Sequence, residues 1–238
     1  MSVMAIHYRT EGYILKKTDL READQLFTIY TKDYGKIDVL GRAIRKIKSK
    51  LRSGVDLFYL SEIEFIQGKV YKTLTDAILI NKFKDIKNDL EKMKIAGQIV
   101  ESLDSLVKAP EPDEKIWNLL NNSFNKLCHK SDLCIPYYYF LWNCLSILGY
   151  QINLYNCVAC EKDLVPLKLY FTSEHSGIMC AQCFDKSKER IDISPETVKI
   201  IRLLLEGDWN ILSKLKIDDS HQQELKKISD YYLKSLAS

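Results

Sequence analysis

The sequence predicts an α+β protein: a small β-barrel in the N-terminal third, then an α-helical domain with a four-cysteine zinc ribbon inserted in it. Three observations predict it. Apolar and polar side chains alternate through the first 80 or so residues, with turn residues between the runs. From about residue 84 the apolar positions instead recur at three- and four-residue steps. Late in the chain, two Cys-x-x-Cys pairs stand 19 residues apart. The expected division is a barrel domain over 1–82 and a helical domain over 83–238, with a metal-binding module at 155–190 inside the latter.

Tyr13-Ile14-Leu15 opens the first strand, and Leu26 to Thr31 forms the second. Asp33-Tyr34-Gly35 is a turn, with glycine free to take the positive φ of a tight reversal. Ile37 and Val39 then alternate with Lys36 and Asp38, as a half-buried strand requires. Between Leu57 and Ile66 the alternation sets Ile63 and Phe65 against Glu62 and Glu64. Gln67-Gly68-Lys69 supplies another turn before a last strand from Val70 to Leu79. Five strands in two groups suit a Greek-key barrel of the oligonucleotide-binding type, the OB-fold; other small antiparallel barrels share the pattern.

Ala96, Ile99, Val100, Leu103, Leu106 and Val107 form one helical stripe, stopped by Ala109-Pro110-Glu111-Pro112. Asp113 is placed to cap the next helix, which carries Ile116, Leu119, Leu120, Phe124 and Leu127. Pro136 lies near the start of a third helix that ends at Gly149. Ser194-Pro195-Glu196 has the same start grammar, and a final helix covers roughly Gln222 to Leu236. These stripes read as core and carry no chemistry.

Cys157, Cys160, Cys180 and Cys183 make up the two pairs. Two thiolates three residues apart on a tight knuckle can share one ion at ~2.3 Å, and a second knuckle completes a tetrahedron. Between the knuckles, Leu167, Leu169 and Phe171 alternate with Lys168, Tyr170 and Thr172, and a turn follows at Ser173 to Gly177. One structural zinc ion is expected, because four sulfur ligands leave no open position for substrate. A redox pair and metal-free thiols are the alternatives. His175 reads as a solvated turn residue, and Cys128, Cys134 and Cys144 as buried small hydrophobes.

The net charge of +3 decides little, but its distribution is uneven. Residues 1–80 hold 14 Lys and Arg against 10 Asp and Glu; the rest of the chain is nearly balanced, with 21 against 22. Six cations, Arg42, Arg45, Lys46, Lys48, Lys50 and Arg52, fall within residues 42–52 with no acid among them. Lys16 and Lys17 extend that patch if the first strand lies nearby, and so does Arg21. Such density pairs with phosphates and releases their counterions. Tyr13, Phe27, Tyr30, Tyr34, Phe58 and Tyr59 offer rings for stacking unpaired bases, with at most two expected to serve and the rest to be packing. A solvated loop or an acidic protein partner would explain the charge alone, and RNA would suit it as well as DNA.

No apolar run approaches the roughly 18 residues of a membrane span. The N-terminus lacks the features of a secretion signal, so a cytosolic chain is expected. The sequence contains no GxxxxGK[ST], HExxH or GxSxG motif, and Asp19, Glu22 and Asp24 show no metal-ligand spacing. No residue argues for an enzyme.

Glu11-Gly12-Tyr13-Ile14-Leu15, Arg21-Glu22-Ala23-Asp24, Phe27 through Lys36, and Gly41 through Ser49 together resemble the start of the bacterial RecO family. The late cysteines are similar to those of its zinc-bearing branch; some members lack them, so the metal rests on this sequence. The resemblance implies a DNA repair and recombination protein, in the bacterial cytoplasm and nucleoid, that binds single- and double-stranded DNA through its OB domain. It implies annealing of complementary strands and, with RecR, loading of RecA onto strands covered by single-strand-binding protein. Arg42, Arg45, Lys46, Lys48 and Lys50 match the family's basic segment, in which Ile44 takes a position that is often basic or small. The family's pocket for the tail of single-strand-binding protein lies in the helical part, where no residue here can be matched.

Overall fold

A computed structural model describes residues 6–46, 49–108, 110–128, 134–183 and 191–236. The chain divides into two compact units, Met1–His129 and Lys130–Ser238.

The first unit is built on five strands: β1 (His7–Asp19), β2 (Gln25–Thr31), β3 (Gly35–Gly41), β4 (Leu60–Ile66) and β5 (Lys72–Asn81). They close into a barrel in the order β1-β2-β3-β5-β4, with every neighbouring pair antiparallel except β3 and β5. β1 begins six residues before its expected opening because it serves two partners. Its first half pairs with β4 and its second with β2, and the register shifts between Ile14 and Lys16 where the strand bends from one to the other. The side chains that the alternation turned inward, Ile14, Phe27, Ile29, Ile37, Val39, Ile63 and Phe65 among them, fill the barrel.

Among the described residues three α-helices complete this unit, α1 (Lys84–Lys87), α2 (Leu90–Leu106) and α3 (Glu114–Cys128), with a 3-10 turn at Lys50–Ser53 in the connection after β3. Asp89 caps α2 by accepting from the amides of Glu91 and Lys92, and Asp113 caps α3 by accepting from Lys115 and Ile116. The outer face of β1 is covered too, since Tyr13 packs on Phe83, Trp117 and Phe124 and donates its hydroxyl to Asn121 Oδ1 at 2.8 Å.

Gly35 takes φ +59, and a Cβ there would lie 2.3 Å from the Pro110 carbonyl oxygen. Both the left-handed backbone and the close approach demand glycine. Gly35→Ala is therefore expected to cost about 2 kcal/mol or more, measured by urea unfolding, through strain plus displaced backbone. A midpoint like the parent's would contradict this.

The second unit contains α4 (Cys134–Ile147), β6 (Leu169–Thr172), β7 (Gly177–Cys180), β8 (Ile191–Ile193), α5 (Pro195–Glu206), α6 (Trp209–Leu212) and α7 (Asp219–Leu236). Its sheet runs β7-β6-β8. The expected alternation along β6 does not show as half burial, because all four of its residues are buried. Phe171 packs edge-on against Tyr231 and Tyr232 of α7, while Tyr170 packs with Cys157 and Met179 on the other side. α4 is tied to the end of α5 by Asn143, whose amide donates to the Leu204 carbonyl at 2.9 Å. Ser194 caps α5, accepting from the Thr197 amide, and Gly207 closes it at φ +70. Of the three other cysteines only Cys144 is buried; Cys128 and Cys134 are half-buried near helix ends, not the core residues expected. No helix among the described residues is long and apolar enough to cross a membrane.

Candidate nucleic-acid interface and metal centre

The basic segment leaves β3 at Gly41 and is fastened at several points. Ala43, at φ 53, donates its amide to Asp24 Oδ1 at 2.7 Å, and Arg45 donates its amide to the Ala23 carbonyl at 3.1 Å. The tip of the β1–β2 hairpin thus holds the connection, which gives Asp24 a structural task. Ile44 is 1% exposed within the barrel core, with Val55 buried and Leu51 packed beside it. The apolar residue that interrupts the basic run is an anchor; the cations around it are left outside.

Those cations fall into two groups. Arg42, Lys46, Lys50 and Arg52 are exposed and take part in no ion pair among the described residues. Lys16 is likewise exposed, paired in register with Thr28 on the outer side of the sheet. Arg45 and Lys17 are instead engaged. Arg45 reaches Asp19 at 3.2 Å, and Lys17 meets Asp56 at 3.0 Å with its side chain 32% exposed. Lys48 lies outside the described residues.

Asp56 also accepts from Lys87, whose ammonium stands 4.4 Å from the centroid of the Tyr59 ring. Burial works against the Asp56 charge, but Lys87, Lys17 and the Leu57 amide outweigh it and hold this carboxyl below its ordinary value. A depressed carboxylate keeps its partners above the unfolded value and releases them only as pH falls through the folded one, so both pairs stand at neutral pH. Lys87 had no signal in the sequence beyond being one more surface lysine.

The rings divide in the same way. Tyr13, Phe27 and Tyr30 are fully buried and Phe58 is 8% exposed, so four of the six candidate stacking rings are packing. Tyr34 packs edge-on against Tyr8 and Phe65, and Tyr59 lies beneath Lys87; both are half-buried. At the β4–β5 turn Val70 is 82% and Tyr71 38% exposed, which the reading of that segment as strand had concealed.

In the second unit the fold brings Cys157, Cys160, Cys180 and Cys183 together, with their sulfurs all within 4.8 Å of one another. A tetrahedron with ~2.3 Å metal–sulfur bonds has edges near ~3.8 Å, so little movement would let all four bind one ion. The knuckles are made as their spacing requires. Cys157 donates its amide to the Lys162 carbonyl at 2.8 Å, Glu161 donates back to Cys157 at 2.8 Å, and Cys183 donates to Cys180 at 3.2 Å.

Electrostatics favour a cation at the centre. Burial opposes ionisation of Cys157, but the amides of Cys180, Ala159 and Cys160 and the Cys160 thiol outweigh it and bring this thiol to about 6. Cys183 is pushed up to about 12, because its thiol donates toward Cys160 and Cys180 and sits beside the Cys157 charge. Four thiols this close cannot all ionise unaided, and a dication supplies the missing charge. His175 is exposed in the turn, 4.0 Å from Glu174.

A closed five-stranded barrel with a cationic connection, followed by helices and a small sheet that carries a four-cysteine cluster, defines a mixed α+β protein of the OB-barrel class with a site fit for one metal ion. Residues 4–83 match the family model "Recombination protein O N terminal", and residues 87–237 match "Recombination protein O C terminal". The chain belongs to the RecO family of DNA repair and recombination proteins. It is 28% identical over 230 residues to "DNA repair protein RecO" of Acetivibrio thermocellus, covering 96% of this chain and 91% of that protein. It is 30% identical over 221 residues to the protein of that name from Dehalococcoides mccartyi, covering 92% and 86%. With the Listeria innocua protein of the same name it shares 26% over 224 residues, covering 94% and 87%.

Proposed function

We propose that this chain binds single- and double-stranded DNA through the end of its barrel and anneals complementary strands without acting as an enzyme. The observation that carries the reading is the set of exposed cations, Lys16 on β1 and Arg42, Lys46, Lys50 and Arg52 around the buried Ile44, all free of acidic partners among the described residues. Two strands repel through their phosphates; cations on one surface offset that repulsion and raise local strand concentration. Base pairing then supplies the net free energy, so no nucleotide hydrolysis is needed. The cations named contact phosphates, so binding is expected to be largely independent of sequence.

Membership of the RecO family supports the wider role: with RecR, helping to load RecA onto strands covered by single-strand-binding protein, in the bacterial cytoplasm and at the nucleoid. The tail of single-strand-binding protein is assigned to the helical domain, 83–238, without named residues, and DNA to the barrel, 1–82. One zinc ion, held by Cys157, Cys160, Cys180 and Cys183, has a structural role in organising residues 155–190.

A strand-annealing assay with and without single-strand-binding protein tests the reading; failure to accelerate annealing in either case would overturn it. Asp56→Asn gives a second, opposite test. It releases Lys17 and Lys87 from their shared carboxylate, so single-strand affinity is expected to rise a few-fold and its salt dependence to steepen. Weaker binding with an intact fold would show that these lysines face away from the DNA.

A further inference from the structure

We propose that the second unit carries a separate site for a single-stranded nucleic acid, in which one nucleobase stacks on Tyr155. The inference takes its ligand class from the strand-binding reading, but its residues are independent of the barrel.

The site is a cleft of about 490 Å³ between the 151–155 segment and α5, lined by Ile152, Leu154, Tyr155, Arg202, Leu205 and Glu206 together with Gln151 and Asn153. Tyr155 is 57% exposed, so part of its ring is open to a ligand. One of its faces is already occupied: the Arg202 guanidinium carbon lies 4.4 Å from the ring centroid. Arg202 is not a loose cover, because both its Nε, at 3.1 Å, and its Nη2 donate to the Leu154 carbonyl. The backbone under the ring is fixed as well, with Asn153 Oδ1 accepting from the amides of Tyr155 and Asn156 at 3.1 Å each. Ring and guanidinium therefore form a platform held in place by hydrogen bonds, a surface of the kind on which unpaired bases settle.

The rim carries complementary polar groups. Asn153 spends its oxygen on the turn and keeps its Nδ2 as a donor, while Glu206 offers an acceptor and Gln151 offers both. A nucleobase edge presents donors and acceptors of this kind without a charge. An acidic peptide would meet Glu206 and a basic one Arg202, which is why a neutral planar ring is the better occupant. Arg202 also lines an adjoining cleft of about 460 Å³ that holds Lys199, exposed and three residues earlier on α5, which can take the phosphate beside the stacked base. Annealing needs two strands handled at once, and a base platform on the second unit in addition to a cationic surface on the barrel would give one chain both.

The test is photocross-linking of the full-length, zinc-loaded protein to a short single strand containing 5-iodouracil, with the adduct mapped by peptide mass spectrometry. An adduct on Tyr155 is expected, lost in Tyr155→Ala and retained in Tyr155→Phe. Tyr155→Ala and Arg202→Gln should each weaken single-strand affinity about tenfold with duplex affinity and zinc content unchanged, and Tyr155→Ala should also leave the melting temperature unchanged. No adduct at Tyr155, together with unchanged affinity in both variants, would overturn the proposal. So would a result in which Tyr155→Ala abolishes binding of a labelled acidic, apolar peptide but leaves single strands bound as before. Charge reversal on the barrel separates the two readings: if it leaves binding intact, the barrel assignment fails, whereas the Tyr155 adduct stands or falls alone.

Discussion

Cys160→Ser is expected to remove the zinc ion proposed for the four cysteines and to melt the second unit well below the temperature of the parent. Structural zinc in small domains contributes on the order of 10 kcal/mol, far more than the few packed residues around these sulfurs can replace. The local core is Cys157, Tyr170 and Met179 with a fringe that includes Val158 and Leu164, so the thiolates are themselves much of the packing. Without an ion, Cys183 is held protonated while Cys157 is shifted toward the thiolate. Binding zinc must displace those protons, so affinity should fall as pH falls. Elemental analysis of fresh protein, with melting followed by circular dichroism, checks both points. The barrel is a separate compact unit, so its strand binding should drop only indirectly. A variant that retains one ion per chain would refute the four-cysteine assignment.

Reversing charge at Arg42, Lys46 and Lys50 together is expected to weaken single-strand binding on the order of a hundredfold or more at moderate salt, while unfolding is hardly altered. All three side chains are exposed and none has an ionic partner among the described residues, so the fold loses no ion pair with them. Arg45→Glu should behave differently, since it places a new carboxylate against Asp19 and unpairs an existing bridge. Part of its effect will appear as a loosened β1–β2 tip, visible in hydrogen exchange of the Ala43 and Arg45 amides that this tip holds. Fluorescence anisotropy with a labelled single strand, run beside a thermal melt, distinguishes a lost contact from a lost loop.

Much of this arrangement was legible in the residues because it rests on strict periods. The barrel strands read out because Ile37 and Val39, or Ile63 and Phe65, must face one way. The cysteine pairs read out because a knuckle has one workable spacing. What escaped was set by partners distant in sequence. Which of the six rings would pack could not be read locally: Tyr13 and Tyr30 are fully buried, and Tyr13 packs against α3 residues more than a hundred positions away. Two-sided burial of β6 was hidden likewise, since its second cover comes from α7. The short α1 and α6, four residues each, carry too little pattern to show a period. Ile44 looked like a flaw in a basic run, when its apolar side chain is what aims the cations outward.

The salt dependence of single-strand affinity tests the central claim most directly. Five cations with no ion pair among the described residues, each neutralising a phosphate, give a slope of log affinity on log salt of about −3.5, falling to about −1.4 when Arg42, Lys46 and Lys50 are reversed. A slope near zero, or one unchanged by those substitutions, would mean that the barrel's cations do not hold the strand.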